Sequence, residues 1–448
     1  MAMFTVQLDF FALNLALPDM ASELEVTVDD LQWVISGYML ALAAFLIPAG
    51  RVGDLLGRKR VLLAGLMIFG GSSFVGGLAP TADVVIAARI VQGVGAAILF
   101  PLAIAVVTNA FPPEQQMRAI GNIYGLSALG AALGPFVGGG LTELIDWRAV
   151  LLINVPITLA AVVLVVRAVT ESRDETVPRS IDLPGLLLIA LGVAAVTFAV
   201  DQAVDWGWLS AGTLGLIAAG LLLIALFVRR ERVARHPLVD LSLFRNRPYV
   251  GVTLLGAAAN VSFVCATFGG TLYLQSVEGY SPADAGVIFL AASIPLALAG
   301  PLSGRIGERF DIPRSMLAAC GFGAAGLLLL WTGPGLAGIL AAFALYGGGY
   351  GFGWSMASVG TQVTVPPERA GLASGVTLAV LVGLGGLAIA TLSTLTVADA
   401  GSAASLGSAL ETAFLAIAIG SVLIAAAVLP IAYERSGRAA EATPEESP

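Results

Sequence analysis

Charge is what this sequence has least of. Only 12% of its 448 residues are charged, while 58% are hydrophobic and the mean hydropathy is +0.92. A water-soluble domain covers itself with roughly 25% charged residues, so water cannot be the solvent for most of this surface. Cysteine is nearly absent: Cys265 and Cys320 fall singly in separate apolar stretches, which excludes a disulfide framework. The one histidine, His236, lies in a basic connecting stretch. Zinc needs three or four ligands, so no donor set for a metal is on offer. There is no phosphate loop and no Gly-x-Ser-x-Gly elbow. The string Gly321-x-Gly323-x2-Gly326 fits a dinucleotide pattern, but no strand precedes it. No enzymatic activity, cofactor, metal or nucleic-acid partner is expected.

What is present is apolar and segmented. Crossing a hydrocarbon core of about 30 Å takes about 20 mostly apolar residues. Fourteen such runs can be marked, at approximately 3–18, 31–52, 61–79, 83–108, 119–142, 149–169, 182–200, 209–228, 249–274, 281–303, 315–332, 335–362, 371–395 and 408–431. The first is short, and the chain starts almost inside it, as a missing N-terminal stretch or a misplaced start would give. A cleaved signal peptide fits less well, because a basic leading region is lacking and Asp9 interrupts the apolar core. The 54 glycines follow no three-residue period and recur inside the runs, as expected where helices pack closely in lipid.

The basic residues set an orientation. With fourteen crossings, every Lys and Arg except Arg89 and Arg148 falls in loops or ends on one side, from Arg51 and the Arg58-Lys59-Arg60 cluster through Arg229, Arg230 and Arg314 to Arg438. The positive-inside rule then places both termini in the cytoplasm and the chain in the cell inner membrane. The opposite side is acidic, with Asp19, Glu23, Glu25, Asp29 and Asp30 in its first loop. Trp33, Trp147, Trp206 and Trp208 lie near the outer run ends, where indoles favour the interface.

An internal repeat divides the runs. Residues 50–60 read GRVGDLLGRKR and residues 304–314 read GRIGERFDIPR, each after the second run of a set of six. The expected architecture is all-α, polytopic and 6 + 2 + 6. A first six-helix bundle covers 1–169, an inserted pair with linkers 170–247, a second bundle 248–435, and a disordered cytoplasmic tail 436–448. Paired halves around a midplane cavity are the layout of alternating-access transporters.

Four motifs carry chemistry. Gly50-x3-Asp54-x2-Gly57-Arg58-Lys59-Arg60 combines glycines suited to a tight turn with an acid able to cap the next helix. In the fifth run Gly130, Gly134 and Gly138 fall four apart, one smooth stripe for a neighbour to lie against, and Pro135 with Gly139 completes a Gly-Pro-x2-Gly-Gly ending. Asp9 stands in the first run within Leu8-Asp9-x4-Asn14-x-Ala16-Leu17-Pro18. A mid-membrane carboxylate costs a few kcal/mol or more unless protonated, paired or hydrated, which makes it a candidate to load and release a proton. Arg89, in Arg89-x2-Gln92-Gly93-x-Gly95-Ala96, is the one basic residue inside a run and the obvious partner for Asp9. The rival reading has it snorkelling to the outer face.

Together these resemble the signatures of the major facilitator superfamily, and of its fourteen-helix drug:proton antiporters in particular. Asp146-Trp147-Arg148 with Asn154-x-Pro156 is similar to the family's stretch entering the sixth helix, and Asp182-x2-Gly185 with Asp201-x4-Trp206 to its first inserted helix. The departures are Leu55, where the loop signature has a basic residue, and Phe11, where the first-helix signature has threonine. The resemblance implies a gating loop at Gly50, Asp54, Gly57 and Arg58, proton coupling at Asp9 and Arg89, and an antiporter-type helix at Gly130, Gly134, Pro135, Gly138 and Gly139. It implies a monomer in the bilayer that exports hydrophobic, often cationic drugs or related small molecules, driven by the proton gradient. Asn14, Tyr38, Tyr124, Asn260 and Trp354, polar or aromatic residues in or near the runs, are candidates to line a substrate cavity; Asn122 and Tyr346 share that character. A proton-coupled symporter or an exporter of lipid or cell-envelope glycolipid remain alternatives on the same fold.

Overall fold

A computed structural model of the chain describes residues 1–13, 16–26, 30–173, 182–234, 238–239, 241–307, 309–366, 369–398 and 403–433. Among these residues the structure is helical, with no strand. The helices are α1 (Ala2–Leu13), α2 (Leu17–Glu23), α3 (Gln32–Leu56), α4 (Arg58–Gly77), α5 (Ala82–Ala110), α6 (Pro113–Leu144), α7 (Arg148–Leu152), α8 (Asn154–Ala168) and α9 (Leu183–Asp201). They continue with α10 (Ala203–Trp206), α11 (Ala211–Glu231), α12 (Arg247–Leu272), α13 (Pro282–Gly307), α14 (Ile312–Trp331), α15 (Leu336–Thr364), α16 (Ala370–Ala398) and α17 (Ala403–Tyr433).

Among the described residues twelve helices are long and apolar enough to cross a membrane, or thirteen when α3, bent by 51° around Pro48, counts as one span. Proline removes the N–H that would close the preceding turn, so the bend has a local cause. The count differs from fourteen at the start of the chain. Of the run 3–18, the described residues give α1, with 12 residues, about 18 Å at ~1.5 Å per residue, and the start of α2 at Leu17; residues 14 and 15 lie outside the described residues. The sixth run is divided, into α7 and α8, around Ile153. Pro156 cannot donate to the Leu152 carbonyl, and the neighbouring Leu151 carbonyl accepts instead from the Ser73 hydroxyl at 2.9 Å.

Packing sorts the helices into two groups. In the first, α3 and α4 pack on α5, α1 on α6, and α4 on α8. In the second, α12 packs on α15, α16 and α17, α14 on α15 and α17, and α13 on α15. The two groups meet chiefly along α6 and α13. There the backbones nearly touch: a Cβ added at Gly121 would stand 2.5 Å from the Gly300 carbonyl oxygen, and one at Gly125 would stand 2.7 Å from Pro301 Cδ. Farther along, Gly286 lies a looser 3.9 Å from Pro135. The close contact is at the end carrying the arginine-rich loops, called the basic end below; Glu23, Asp146 and Arg148 mark the acidic end. Helices α9 and α11 pack on each other, and α9 also lies against α3 and α16.

Candidate functional site

The most constrained polar cluster lies inside the first group. Asp9 on α1 and Arg89 on α5 are 1% and 0% exposed, and their side chains meet at 2.5 Å between Oδ2 and Nη1. Snorkelling is therefore excluded for Arg89. The other carboxylate oxygen, Oδ1, accepts from Asn154 Nδ2 at 2.6 Å and from Gln92 Nε2 at 3.1 Å. Arg89 Nη1 also donates to Gln92 Oε1 at 2.7 Å, and Nε to the Val34 carbonyl at 3.1 Å. The Tyr38 ring covers the guanidinium at 4.1 Å. Ser73 Oγ accepts from Gln92 and Asn154 at 3.2 and 3.1 Å. Five helices, α1, α3, α4, α5 and α8, thus converge on one ion pair.

Local sequence explains the convergence. Gln92 follows Arg89 by three residues, so both share one face of α5. Gly93 lets the α3 backbone at Tyr38 lie directly against α5, and Gly95 lets α4 approach, since its Cβ would stand 2.8 Å from Phe69 N. The stripe on α6 serves α1 in the same way. A Cβ at Gly134 would stand 2.6 Å from Phe11 Cβ and 3.1 Å from the Leu8 carbonyl, while Gly130 and Gly138 lie against the backbones of Phe4 and Ala12. The glycines of the fifth run therefore seat the helix that carries Asp9. Pro135 lies inside α6 without ending it, and Gly139 is half-buried beside the stripe.

Two buried charges out of water are stable only when the remaining lone pairs and protons are also met. Here both oxygens of Asp9 are occupied, the arrangement of an ionised carboxylate. Three polar atoms of the same cluster, Arg89 Nη2, Asn154 Oδ1 and Tyr38 Oη, have no hydrogen-bond partner. Buried polar atoms of this kind ordinarily find one, and these three carry donor and acceptor capacity that the pair does not use. A proton reaching Asp9 would remove the charge that holds Arg89, which is the chemistry a coupling site needs.

The remaining candidates are spread through the fold. Asn14 lies outside the described residues. Tyr38 belongs to the ion-pair cluster. Tyr124 on α6 stacks edge-on against Trp354 of α15 at 4.9 Å and accepts a short hydrogen bond from Ser358, joining the two helix groups. Asn260 donates to the Leu381 carbonyl at 2.7 Å and so ties α12 to α16. Tyr346 is fully buried and Asn122 exposed. In the loop between α3 and α4, Asp54 does not cap the next helix: the N-cap of α4 is Gly57, and no side chain caps it. Asp54 instead accepts from Arg58 Nε at 2.8 Å, one turn away. Gly57 turns the chain at φ +110°, a region closed to most side chains, and a Cβ there would stand 2.7 Å from the Glu171 carboxylate. Gly50 lies beside Pro101 of α5. The loop is held to the end of α8 by Glu171, which accepts from Lys59 N at 3.0 Å, and by Arg58 N donating to the Ser172 carbonyl at 2.8 Å.

Gln92 and Asn154 stood inside the motifs without a role, and Ser73, one of two adjacent serines in an apolar run, had no signal at all. At the acidic end Trp147 is buried rather than ringing the interface. Its Nε1 donates to Glu23 at 2.7 Å, and Arg148 reaches the same carboxylate at 2.5 Å. These bonds hold the Glu23 carboxyl below the ordinary glutamate range. At the other end Arg230, bonded to Asp182 at 2.6 and 2.8 Å, lowers the Asp182 carboxyl likewise.

Comparison with known proteins adds the family. The profile described as Major Facilitator Superfamily matches residues 1–390. The tetracenomycin C resistance and export protein of Streptomyces glaucescens is 33% identical over 379 residues, covering 83% of this chain and 69% of that protein. The multidrug resistance protein Stp of Mycobacterium tuberculosis is 34% identical over 383 residues, covering 84% and 70%. The crystal structure of the human organic anion transporter MFSD10 (TETRAN) shares the fold, with a TM-score of 0.63 at 16% identity over 95% of this chain and 97% of that one.

Proposed function

This chain belongs to the major facilitator superfamily as a multi-pass membrane transporter, and from that premise we propose that it exports hydrophobic, cationic drugs or related small molecules in exchange for protons. The observation that carries the reading is the Asp9–Arg89 pair, sealed from water and held by Gln92 and Asn154. In this mechanism Asp9 alternates between two conditions. Ionised, it is gripped by Arg89, Gln92 and Asn154 and keeps α1 fixed against α5 and α8. Protonated, it loses its attraction for Arg89, and the released guanidinium and amide donors favour the opposite-facing state. Substrate and proton compete for the conformation that the pair stabilises.

The fold completes the proposal. We read the chain as fourteen crossings in a 6 + 2 + 6 order, the first being the run 3–18, with both termini cytoplasmic in the cell inner membrane and the transporter working as a monomer. The loop with Gly50, Asp54, Gly57 and Arg58 gates the basic end. Tyr124 and Trp354, which meet between the helix groups, are the best placed of the suggested cavity residues to touch substrate. The similar proteins whose names describe resistance and export favour drugs over nutrients as cargo.

Transport in proteoliposomes under an imposed pH gradient tests the reading. Asp9→Asn is expected to abolish pH-driven export while the protein remains folded and inserted. Full retained transport by Asp9→Asn would remove Asp9 from the mechanism, and uptake in the same direction as protons would make the protein a symporter. A susceptibility and dye-efflux panel on cells with and without the protein identifies the cargo.

A further inference from the structure

The inserted helices α9 and α11 have no part in the reading above, yet their placement is specific. Helix α11 packs on α9 and leaves most of its surface outward, with 17% of its span buried. Helix α9 runs between α3 of the first group and α16 of the second. Within the pair the helices approach closely. A Cβ at Gly220 would stand 2.6 Å from Val196 and 2.9 Å from the Gly192 carbonyl. The guanidinium of Arg230 grips Asp182, which also caps α9 through Gly185 N at 3.2 Å.

The attachments to the two halves differ in extent. Helix α9 packs more widely on α3 than on α16. At the acidic end Phe198 packs between Trp33 and Trp206, at 5.3 and 5.8 Å. At the basic end the Glu231 side chain is 5% exposed. Glu231 Oε2 accepts from Val239 N at 2.8 Å and so ties the following linker to the pair. To α16 the attachment is apolar: Ile189, Phe227, Leu238 and Val239 share one cluster with Val376, and Leu372 packs on its edge.

We propose that the inserted pair is a clamp on the basic end, carried by α3 and released from Leu372 and Val376 of α16 each time the two halves part there. The extent and chemistry of the contacts decide which side yields. Parting α9 from α3 would break the wider helix contact and the Trp33–Phe198 ring pair. Separating apolar side chains from α16 costs little in a bilayer, because lipid tails replace the lost contacts. The clamp closes at the same end as the Gly121–Gly300 backbone contact of α6 and α13, on the other flank of the interface. It rests on the alternating-access part of the proposed function.

The test introduces Ile189→Cys with Val376→Cys and joins them by a short, reducible bis-maleimide in proteoliposomes; the native Cys265 and Cys320 are buried. Complete cross-linking is expected to stop transport, and reduction to restore it. Transport that continues under complete cross-linking would overturn the clamp. Nitroxides at Leu56→Cys and Phe310→Cys, positions 58% and 65% exposed at the basic end, report opening without any substrate. Before cross-linking their distance distribution should contain a longer population, and afterwards only the shorter one. A distribution that cross-linking leaves unchanged, single or double, also overturns the clamp. If cross-linking removes the longer population in a protein that never shows pH-driven transport, the clamp stands and the proton-exchange reading fails.

Discussion

Removing one member of the Asp9–Arg89 pair and then both gives a measurement whose size follows from burial. Arg89→Leu leaves a carboxylate at 1% exposure without its countercharge, and Asp9→Asn leaves the guanidinium in the same position. Breaking a buried pair from one side costs about 3–5 kcal/mol, so the two single variants together cost about 6–10 kcal/mol. The double variant Asp9→Asn/Arg89→Leu buries no net charge and keeps an amide that Asn154 and Gln92 can still engage, so it should cost no more than either single change. The coupling is therefore about 3 kcal/mol or more, at the top of the range for residues in contact. Reversible unfolding of the four proteins in mixed detergent, at one pH, measures it. A coupling under about 0.5 kcal/mol is what independent sites give, and that value would refute the claim that these two side chains hold each other.

Three further outcomes are expected. Asn154→Ala removes a 2.6 Å donor from the carboxylate and should destabilise by about 1.5–3 kcal/mol, as hydrogen bonds to charged groups do, with an altered pH profile of transport; an unchanged profile would make Asn154 a packing residue only. Gly138→Val forces side-chain atoms against the backbone of Ala12 and should cost about 1–3 kcal/mol or more along with transport activity. Gly140→Val, at a position with nothing within 4 Å of the added carbon, should cost neither. The Glu23 carboxyl lies below its ordinary value of 4.5 because Arg148 and Trp147 donate to it. A depressed carboxyl contributes stability that is complete above that ordinary value and is lost as pH falls through the lower, folded one. The difference in unfolding midpoint between the native protein and Glu23→Gln should therefore hold from neutral pH to about 4.5 and vanish below.

Much of this was legible in the residues because lipid imposes hard rules. Length and hydropathy mark each of the twelve long helices, since a span must satisfy its backbone internally. Asp9 and Arg89 stood out because each is costly alone in an apolar run, and the fold brings these two together. The sixth run read less well: apolar character does not reveal that the helix is divided around Ile153. Asp54 misled for a related reason, because spacing that suits a cap also suits an ion pair one turn away with Arg58, and only geometry separates them. Ser73 was invisible, as a hydroxyl in a membrane helix usually bonds its own preceding turn; Ser72 does so, to the Ile68 carbonyl. Trp147 was placed by composition at the interface, while its indole N–H found a carboxylate inside the acidic end.

Helix α6 presents bare backbone on two flanks, toward α13 at Gly121 and Gly125 and toward α1 at Gly130, Gly134 and Gly138. Surfaces without interlocking side chains resist separation through dispersion but offer few rotamer barriers to lateral displacement. Such a helix acts as a rail between its two neighbours. A shift of α13 along one flank of α6 can proceed without prying apart knobs and holes, and α1, which carries the ionisable group, rides on the other flank of the same rail.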